Sequence, residues 1–391
     1  MPSDLPQEII NTIIGHIPTS DASTLKASAA VCSSFHDPSR RKLFNTLRLY
    51  RARSLQRPTL EEGAELFDSS PSISAYVRDV VLEVSDATED CVALEKILNR
   101  LVADGLLERL VINGRGARWN IVAKALPTLP EALFAAMNLS SLTRLHLMHL
   151  RNVPSNLFST ALGLPIVSFH QVSLRRNTAF VPGETPSRVG HLIIADSVTD
   201  SATPILQSLF SSPPPSLKRL EVRLAQAEDN YEKRLLKMCS DTLEELVINT
   251  GELTRQPSYL FPTFSHLHTL NIKLFVNRHR KLPDLLLPTI SLCTLNSCPV
   301  LQTLILRFIV EPRFPKAEKA WTITESASGG IPARAIRCVL VLRDIAAGPE
   351  PRDDSELYEK FETAMEELFV GREGVSCELA PPQGFYLDQL P

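Results

Sequence analysis

The sequence predicts an α/β repeat protein with a small helical module at its N terminus and a capping helix near its C terminus. Three observations carry that expectation. A short unit of the form apolar-x-x-apolar-x-apolar recurs along the chain, with helix-like stretches between its copies. The first fifty residues hold two or three short amphipathic helices, too few to enclose a core by themselves. An acidic amphipathic stretch follows the last copy of the unit. The expected organisation is a helical module over 1–50, a repeat region over 51–345, and a loop with the capping helix over 346–391.

The module opens with "DLPQEIINTIIGHI", residues 4–17. At 100° per residue, Leu5, Ile9, Ile10, Ile13, Ile14 and Ile17 fall in one half of a helix. Asp4 sits where an N-cap would, Pro6 is tolerated in a first turn, and Pro18 marks the stop. An apolar face about 180° wide is broader than one packing partner needs, and each buried isoleucine contributes about 1.5–3 kcal/mol. That face must meet something on two sides. A second helix follows, with Leu25, Ala29, Cys32 and Phe35 at helical spacing. Asp37–Pro38 breaks the pattern, and "RRKLFNTLRL" resumes as a short helix leading into a strand.

On these residues the segment resembles the F-box motif. The match comprises Leu5–Pro6, the Glu8–Ile9–Ile10 helix start, Ile13 and Ile17, then Leu25, Val31–Cys32 and Phe35, in order and at fitting spacing over roughly the first fifty residues. The resemblance implies a three-helix module that docks on the Skp adaptor of a cullin–RING ubiquitin ligase. The adaptor contacts it implies are Leu5, Pro6, Ile9, Ile10, Ile13, Ile17, Leu25, Val31, Cys32 and Phe35, some of which must instead be internal core. Phe35 stands where many members carry tryptophan, and Ala29–Ala30 is small where a leucine is common. Both departures reduce apolar area and point to weaker adaptor affinity.

The repeat unit is taken up at "FNTLRL", "VRDVVL", "LLERLVI", "LTRLHL", "IVSFHQ", "VGHLII", "LKRLEV", "LEELVI", "LHTLNI", "LQTLIL" and "IRCVLV". Its middle apolar residues are Leu47, Val80, Leu110, Leu145, Phe169, Leu192, Leu220, Leu246, Leu270, Leu304 and Val339, spaced 23 to 35 residues apart. Gln171 then occupies an apolar slot of a degenerate copy. Between the strands, "TLEEGAELF" carries a Thr59/Glu62 capping box, "EDCVALEKILNRLVADG" ends on Gly105 as a C-cap does, and "YEKRLLKMC" is a further helix. Strand and helix in alternation resemble leucine-rich-repeat proteins, without their regular asparagine ladder. The resemblance implies an irregular solenoid with strands on its concave side. Positions alternating with the markers face that side, among them Arg144, His146, His170, Arg219, Glu221, Arg223, Glu245, Asn249, Asn271, Lys273 and Arg307. This mixed-charge strip suits the reading of a protein surface and supplies the candidate target-binding residues. Beyond it, "SELYEKFETAMEELF" aligns Leu357, Phe361, Met365 and Leu368, with Gly371 past the end, as a terminal cap.

Composition excludes several alternatives. A net charge of −3 supplies no global field for nucleic acid, and 29 prolines against 15 glycines argue for stiff turns over a glycine-rich nucleotide site. The seven cysteines (32, 91, 239, 293, 298, 338 and 377) are odd in number and form no CxxC, so reduced thiols are expected. Residues 285–306 carry no charge, but Pro288 and Pro299 interrupt them, so no membrane span is expected. His146 and His149, or His266 and His268, have no cysteine or carboxylate at ligand spacing, so no metal is expected. "NGRGARW" at 113–119 follows a strand and is expected to be a turn; "RHRK" at 278–281 and "RRK" at 40–42 are solvated faces; "SSPPPS" at 211–216 is a stiff loop. No phosphate-binding loop or nucleophile elbow occurs, so no catalytic residue, enzyme activity or cofactor is expected.

The expected function is substrate recognition in an SCF-type ligase in the cytoplasm or nucleus, with the helices on a Skp-type adaptor and the repeat on an unidentified protein target. The other reading is a non-enzymatic leucine-rich-repeat scaffold whose N-terminal helices only cap the repeat.

Overall fold

The computed structural model describes residues 5–51, 58–85, 87–119, 122, 124, 126–173, 187–195, 217–223, 231–249, 261–276, 294–310, 331–342 and 355–380. Asp4, Cys293, "SSPPPS", "RHRK" and the expected loop at 346–354 lie outside these residues. The chain divides into two units, Met1–Ser187 and Arg188–Pro391. The expected boundaries after residues 50 and 345 both fall inside a unit.

The first unit begins with α1 (Gln7–His16), α2 (Ala22–Val31) and α3 (Ser33–Phe44). Asp21 caps α2 by accepting from the Thr24 amide at 3.0 Å. Cys32 and Phe35, expected within the second helix, lie beyond it: Cys32 is extended (φ −164°, ψ 172°), ends α2 and begins α3. Pro38, expected to break the chain, sits inside a continuous α3. Its missing N–H frees the carbonyl of Ser34, four residues back, and that carbonyl accepts a 3.1 Å hydrogen bond from Gln7 Nε2. A second tie runs the other way, from the Lys42 ammonium to the carbonyls of Ile14 (3.1 Å) and Gly15 (2.6 Å) at the end of α1.

Strands β1 (Thr46–Leu49), β2 (Asp79–Glu83), β3 (Arg109–Asn113), β4 (Arg144–Met148) and β5 (Ile166–His170) follow, each paired in parallel with the one before it in the chain. Helices α4 (Leu60–Ser69), α5 (Thr88–Asp104), α6 (Leu129–Met137) and α7 (Ser155–Ala161) lie in the connections, as parallel pairing requires. The Thr59/Glu62 capping box forms at α4, and Gly105 ends α5 in the left-handed region at φ 67°. Helix α5 buries Leu94, Ile97, Leu98 and Leu101, the spacing of one helical face.

The second unit holds β6 (His191–Ala195), β7 (Arg219–Arg223), α8 (Tyr231–Met238), β8 (Glu245–Asn249), β9 (Thr269–Val276), β10 (Thr303–Val310), β11 (Ala335–Leu342), α9 (Ser355–Leu368) and β12 (Val375–Ala380). Again every pairing is parallel and sequential. Leu192, Leu220, Leu246, Leu270, Leu304 and Ile336 stand in one register row and are 0% exposed. Phe308 of β10 meets Phe361 of α9 edge to face, with ring centroids 5.3 Å apart. Gly374, at φ 79°, precedes β12; a Cβ there would stand 2.6 Å from the Arg334 carbonyl oxygen, so only glycine fits.

This architecture overturns the expected fold class, a small three-helix F-box-like module followed by an irregular leucine-rich-repeat solenoid with a C-terminal capping helix. The chain is an α/β fold with twelve strands among its described residues, all paired in parallel. The sheet already begins at Thr46, inside the segment assigned to the helical module. Helix α9 is no terminal cap, because β12 follows it and pairs with β11. The alternate face is also more deeply buried than the expectation allowed. Val81, Val111, His146 and Ser168 share a row on the side opposite the Leu110/Leu145 row, and none is more than 2% exposed. Parallel strands are typically covered on both faces, so alternation does not translate into exposure.

Two register assignments change as well. Val167, not Phe169, stands opposite Leu145, which leaves Gln171 past the strand end at φ 50°. Ile336, not Val339, stands opposite Leu304. In an unbroken apolar run such as "CVLVL" a period of two cannot be read, and a one-residue error reverses every side chain.

Candidate functional site

Helix α1 divides its apolar face between two environments. Ile10 and Ile14, each 2% exposed, join fully buried Leu25 in a small core, with Ile17, Phe35 and Leu43 packed around it. Leu5, Ile9 and Ile13 stand 50%, 47% and 43% exposed along the adjacent stripe at i, i+4 and i+8. Val31 and Cys32, at the α2–α3 junction, are exposed too, as is Pro6. Of eleven exposed large hydrophobics among the described residues, four lie within residues 5–31. Singly exposed apolar residues are ordinary, but Ile9 and Ile13 on consecutive turns of α1, with Leu5 just before the helix, leave a continuous stripe facing water. The resemblance-derived set thus separates: Ile10 and Leu25 are internal core, Ile17 and Phe35 half-buried, and Leu5, Pro6, Ile9, Ile13, Val31 and Cys32 exposed.

A polar contact ties α3 to the turn that precedes β2. The Tyr76 hydroxyl donates to Asp37 Oδ1 at 2.7 Å, and the carboxylate beside it pushes the phenol above its ordinary pKa. Arg41 pairs with the same carboxylate at 2.9 Å.

The expected target-binding residues differ widely in exposure. In the first unit Arg144 is exposed, His170 half-buried, and His146 0% exposed, contrary to its expected solvent-facing place. In the second unit Arg219, Glu221, Arg223, Glu245, Asn249, Asn271, Lys273 and Arg307 all lie on the sheet face opposite the leucine row, with Asn249 and Asn271 only 8% and 6% exposed. Charge pairs run between strands there: Arg219 with Glu245 at 3.3 Å, Lys273 with Glu221, and Arg337 with Glu378 at 2.9 Å. The last pair escaped sequence reasoning because β12 was not anticipated; alternation in "VSCELA" after Gly374 was the available signal. Cys338 and Cys377 were likewise separated by 39 residues in sequence, yet stand opposite each other in β11 and β12. A hydrogen bond between the thiols holds Cys377 below its ordinary pKa and pushes Cys338 up. Burial pushes Cys239 to about 12 and, against the lowering effect of a hydrogen bond with Ser297, Cys298 to about 11.

His191 lies opposite Arg219 in the β6–β7 register. Burial, and then the neighbouring guanidinium, lower its pKa to about 4, with Glu221 opposing weakly. Between the ordinary value of about 6.5 and that figure, the unfolded chain binds the proton and the folded chain does not. Stability should therefore fall as pH drops through this window. Melting of the wild type between about pH 7 and about pH 4.5 should show a component of the decline that His191→Gln lacks; equal slopes would refute the assignment.

Among the described residues no group of three or more histidine, cysteine or acidic side chains is placed to hold a metal, and no helix is long and apolar enough to cross a membrane. His266 and His268 are both exposed. No protein-family model matches the sequence, and no curated protein matches it either.

Proposed function

We propose that the chain is an F-box-type substrate-recognition subunit of an SCF-type cullin–RING ubiquitin ligase. In this reading α1–α3 dock on a Skp-type adaptor, and the charged sheet face of the second unit holds a protein target. The protein works by binding and not by chemistry, and gains rate by raising the target's local concentration beside the ubiquitin-charged enzyme. The observation that supports the reading is the split face of α1: among the described residues Ile10 and Ile14 are buried against Leu25, whereas Ile9 and Ile13, with Leu5 just before the helix, stand exposed. Covering two exposed isoleucines in an interface contributes on the order of 2 kcal/mol each at a central position.

The test is co-purification of the full chain with a Skp-type adaptor, beside an Ile9→Asp/Ile13→Asp variant. Wild-type binding should weaken at least about 100-fold in the variant, with the thermal melt unchanged. A wild type that does not bind the adaptor, together with a variant that melts early, would instead favour a scaffold whose N-terminal helices only cap the sheet.

A further inference from the structure

The second unit contains an arrangement that narrows the chemistry of the target, provided that the protein-target reading above holds. Arg223, Asn249, Lys273 and Arg307 stand opposite one another on the consecutive strands β7 to β10, in one register row. One row back, on the same face, Glu221, Val247, Asn271 and Ile305 are likewise in register. Four cations (Arg219, Arg223, Lys273, Arg307) and two anions (Glu221, Glu245) occupy this face of the four strands. Both anions are engaged, Glu245 by Arg219 and Glu221 by Lys273. Arg307 is half-buried, its Nε is shielded from solvent, and it makes no hydrogen bond or ion pair among the described residues. That nitrogen has lost hydration without gaining a partner, and the guanidinium has no counter-charge among the described residues.

Asn271 supplies the second, independent observation. It is 6% exposed, and its Oδ1 is buried without a hydrogen-bond partner among the described residues. Leaving such a group unsatisfied costs about 1–3 kcal/mol. A side-chain amide offers an acceptor and two donors on one plane, matching the N–H and C=O of a peptide group. A phosphodiester has acceptors alone and leaves Oδ1 unsatisfied. Half-buried Ile305, Phe275 and Ile309 lie alongside on the same face of β9 and β10 and provide apolar ground for a neighbouring side chain.

We propose that this face binds an extended acidic peptide segment, with Asn271 pairing to its main chain and Arg307 to a carboxylate. Arg223 and Arg307 are three strand spacings apart, about 14 Å at about 4.8 Å per strand. An extended chain covers that distance in about four residues, and residues four apart point to the same side. The segment therefore carries one acidic residue for Arg307 and a second, four residues away, within the field of the cationic row that ends at Arg223, with an apolar residue near the Arg307 end. Arginine's planar fork takes a carboxylate bidentately, which makes the contact geometric as well as electrostatic.

The experiment uses the full chain and three labelled probes: a peptide with glutamates at i and i+4 and a flanking leucine, its glutamine counterpart, and an oligothymidylate. Binding is followed by fluorescence anisotropy, with adaptor co-purification and the thermal melt recorded on the same preparations. The glutamate peptide should bind; the glutamine peptide and the oligonucleotide should not. Arg307→Gln should weaken binding at least about tenfold with the melt unchanged. Arg307→Glu should transfer preference to a peptide bearing lysines in place of the glutamates. No binding of the glutamate peptide, equal binding by Arg307→Gln, or tighter binding of the oligonucleotide would overturn the inference. Peptide failure with adaptor binding intact would remove the acidic segment and leave the ligase reading standing. Arg307-dependent peptide binding without adaptor binding would do the reverse.

Discussion

Phe308→Ala is expected to cost about 3–5 kcal/mol, the range for removing a fully buried phenylalanine. Phe308 is 0% exposed in β10, a strand paired on both sides, and its ring closes against Phe361 of α9, itself 0% exposed. The neighbours cannot collapse into the space, because β9, β10 and β11 are locked over eight residues of register each. For a unit of this size the loss corresponds to a fall of roughly 6–20 °C in melting temperature. Calorimetry of the variant checks the figure. Phe361→Ala and the double variant complete a cycle in which the ring pair should contribute about 0.5–1.5 kcal/mol of coupling. A drop below about 1 kcal/mol for Phe308→Ala would place that side chain outside the core.

Leu25→Ala should act in a different place. Leu25, Ile10 and Ile14 are the whole buried apolar core of α1–α3, supported by three half-buried side chains. A loss of about 2–5 kcal/mol exceeds what a module of fewer than fifty residues can spare. Amide exchange over residues 7–44 should accelerate at least about 30-fold, while protection in β2–β4 is retained. Ile9→Ala/Ile13→Ala, four residues apart on the exposed stripe of the same helix, should leave exchange over that segment as in the wild type. The contrast between the two variants measures how far docking surface and core are separable within one helix. Acceleration in both would mean that the exposed stripe also stabilises the fold.

How much of this was legible in the sequence varies with the element. Local signals were read directly: the capping box at Thr59, the left-handed Gly105, the helical spacing through Phe361 and Met365. Periodicity also located the isoleucine face of α1. It could not divide that face, because Ile9 and Ile10 are chemically identical and only the position of Leu25 decides which one is buried. Pro38 failed as a helix breaker for a tertiary reason, since Gln7 from another helix takes the carbonyl the proline leaves free. The all-apolar β11 concealed its register; β12 does alternate, but its partner strand lies 39 residues back, beyond a helix, and nothing local marks the pairing. His146 and Asn271 were read as solvent-facing because polar residues usually are. Their burial is set by side chains on neighbouring strands, which lie some 22 to 35 residues away in the chain.

The sequential order of strands has a consequence for how the chain is made. Within each unit every strand pairs with the one synthesised just before it, so no pairing waits for a distant segment to emerge from the ribosome. Loop-closure entropy is then met in small steps of a few dozen residues. Each new strand arrives beside a template already in place, and the growing edge is uncovered only until the next strand pairs with it. Such a nascent chain should acquire protease resistance in increments as it lengthens, with α1–α3 and β1 protected before β5 has been translated.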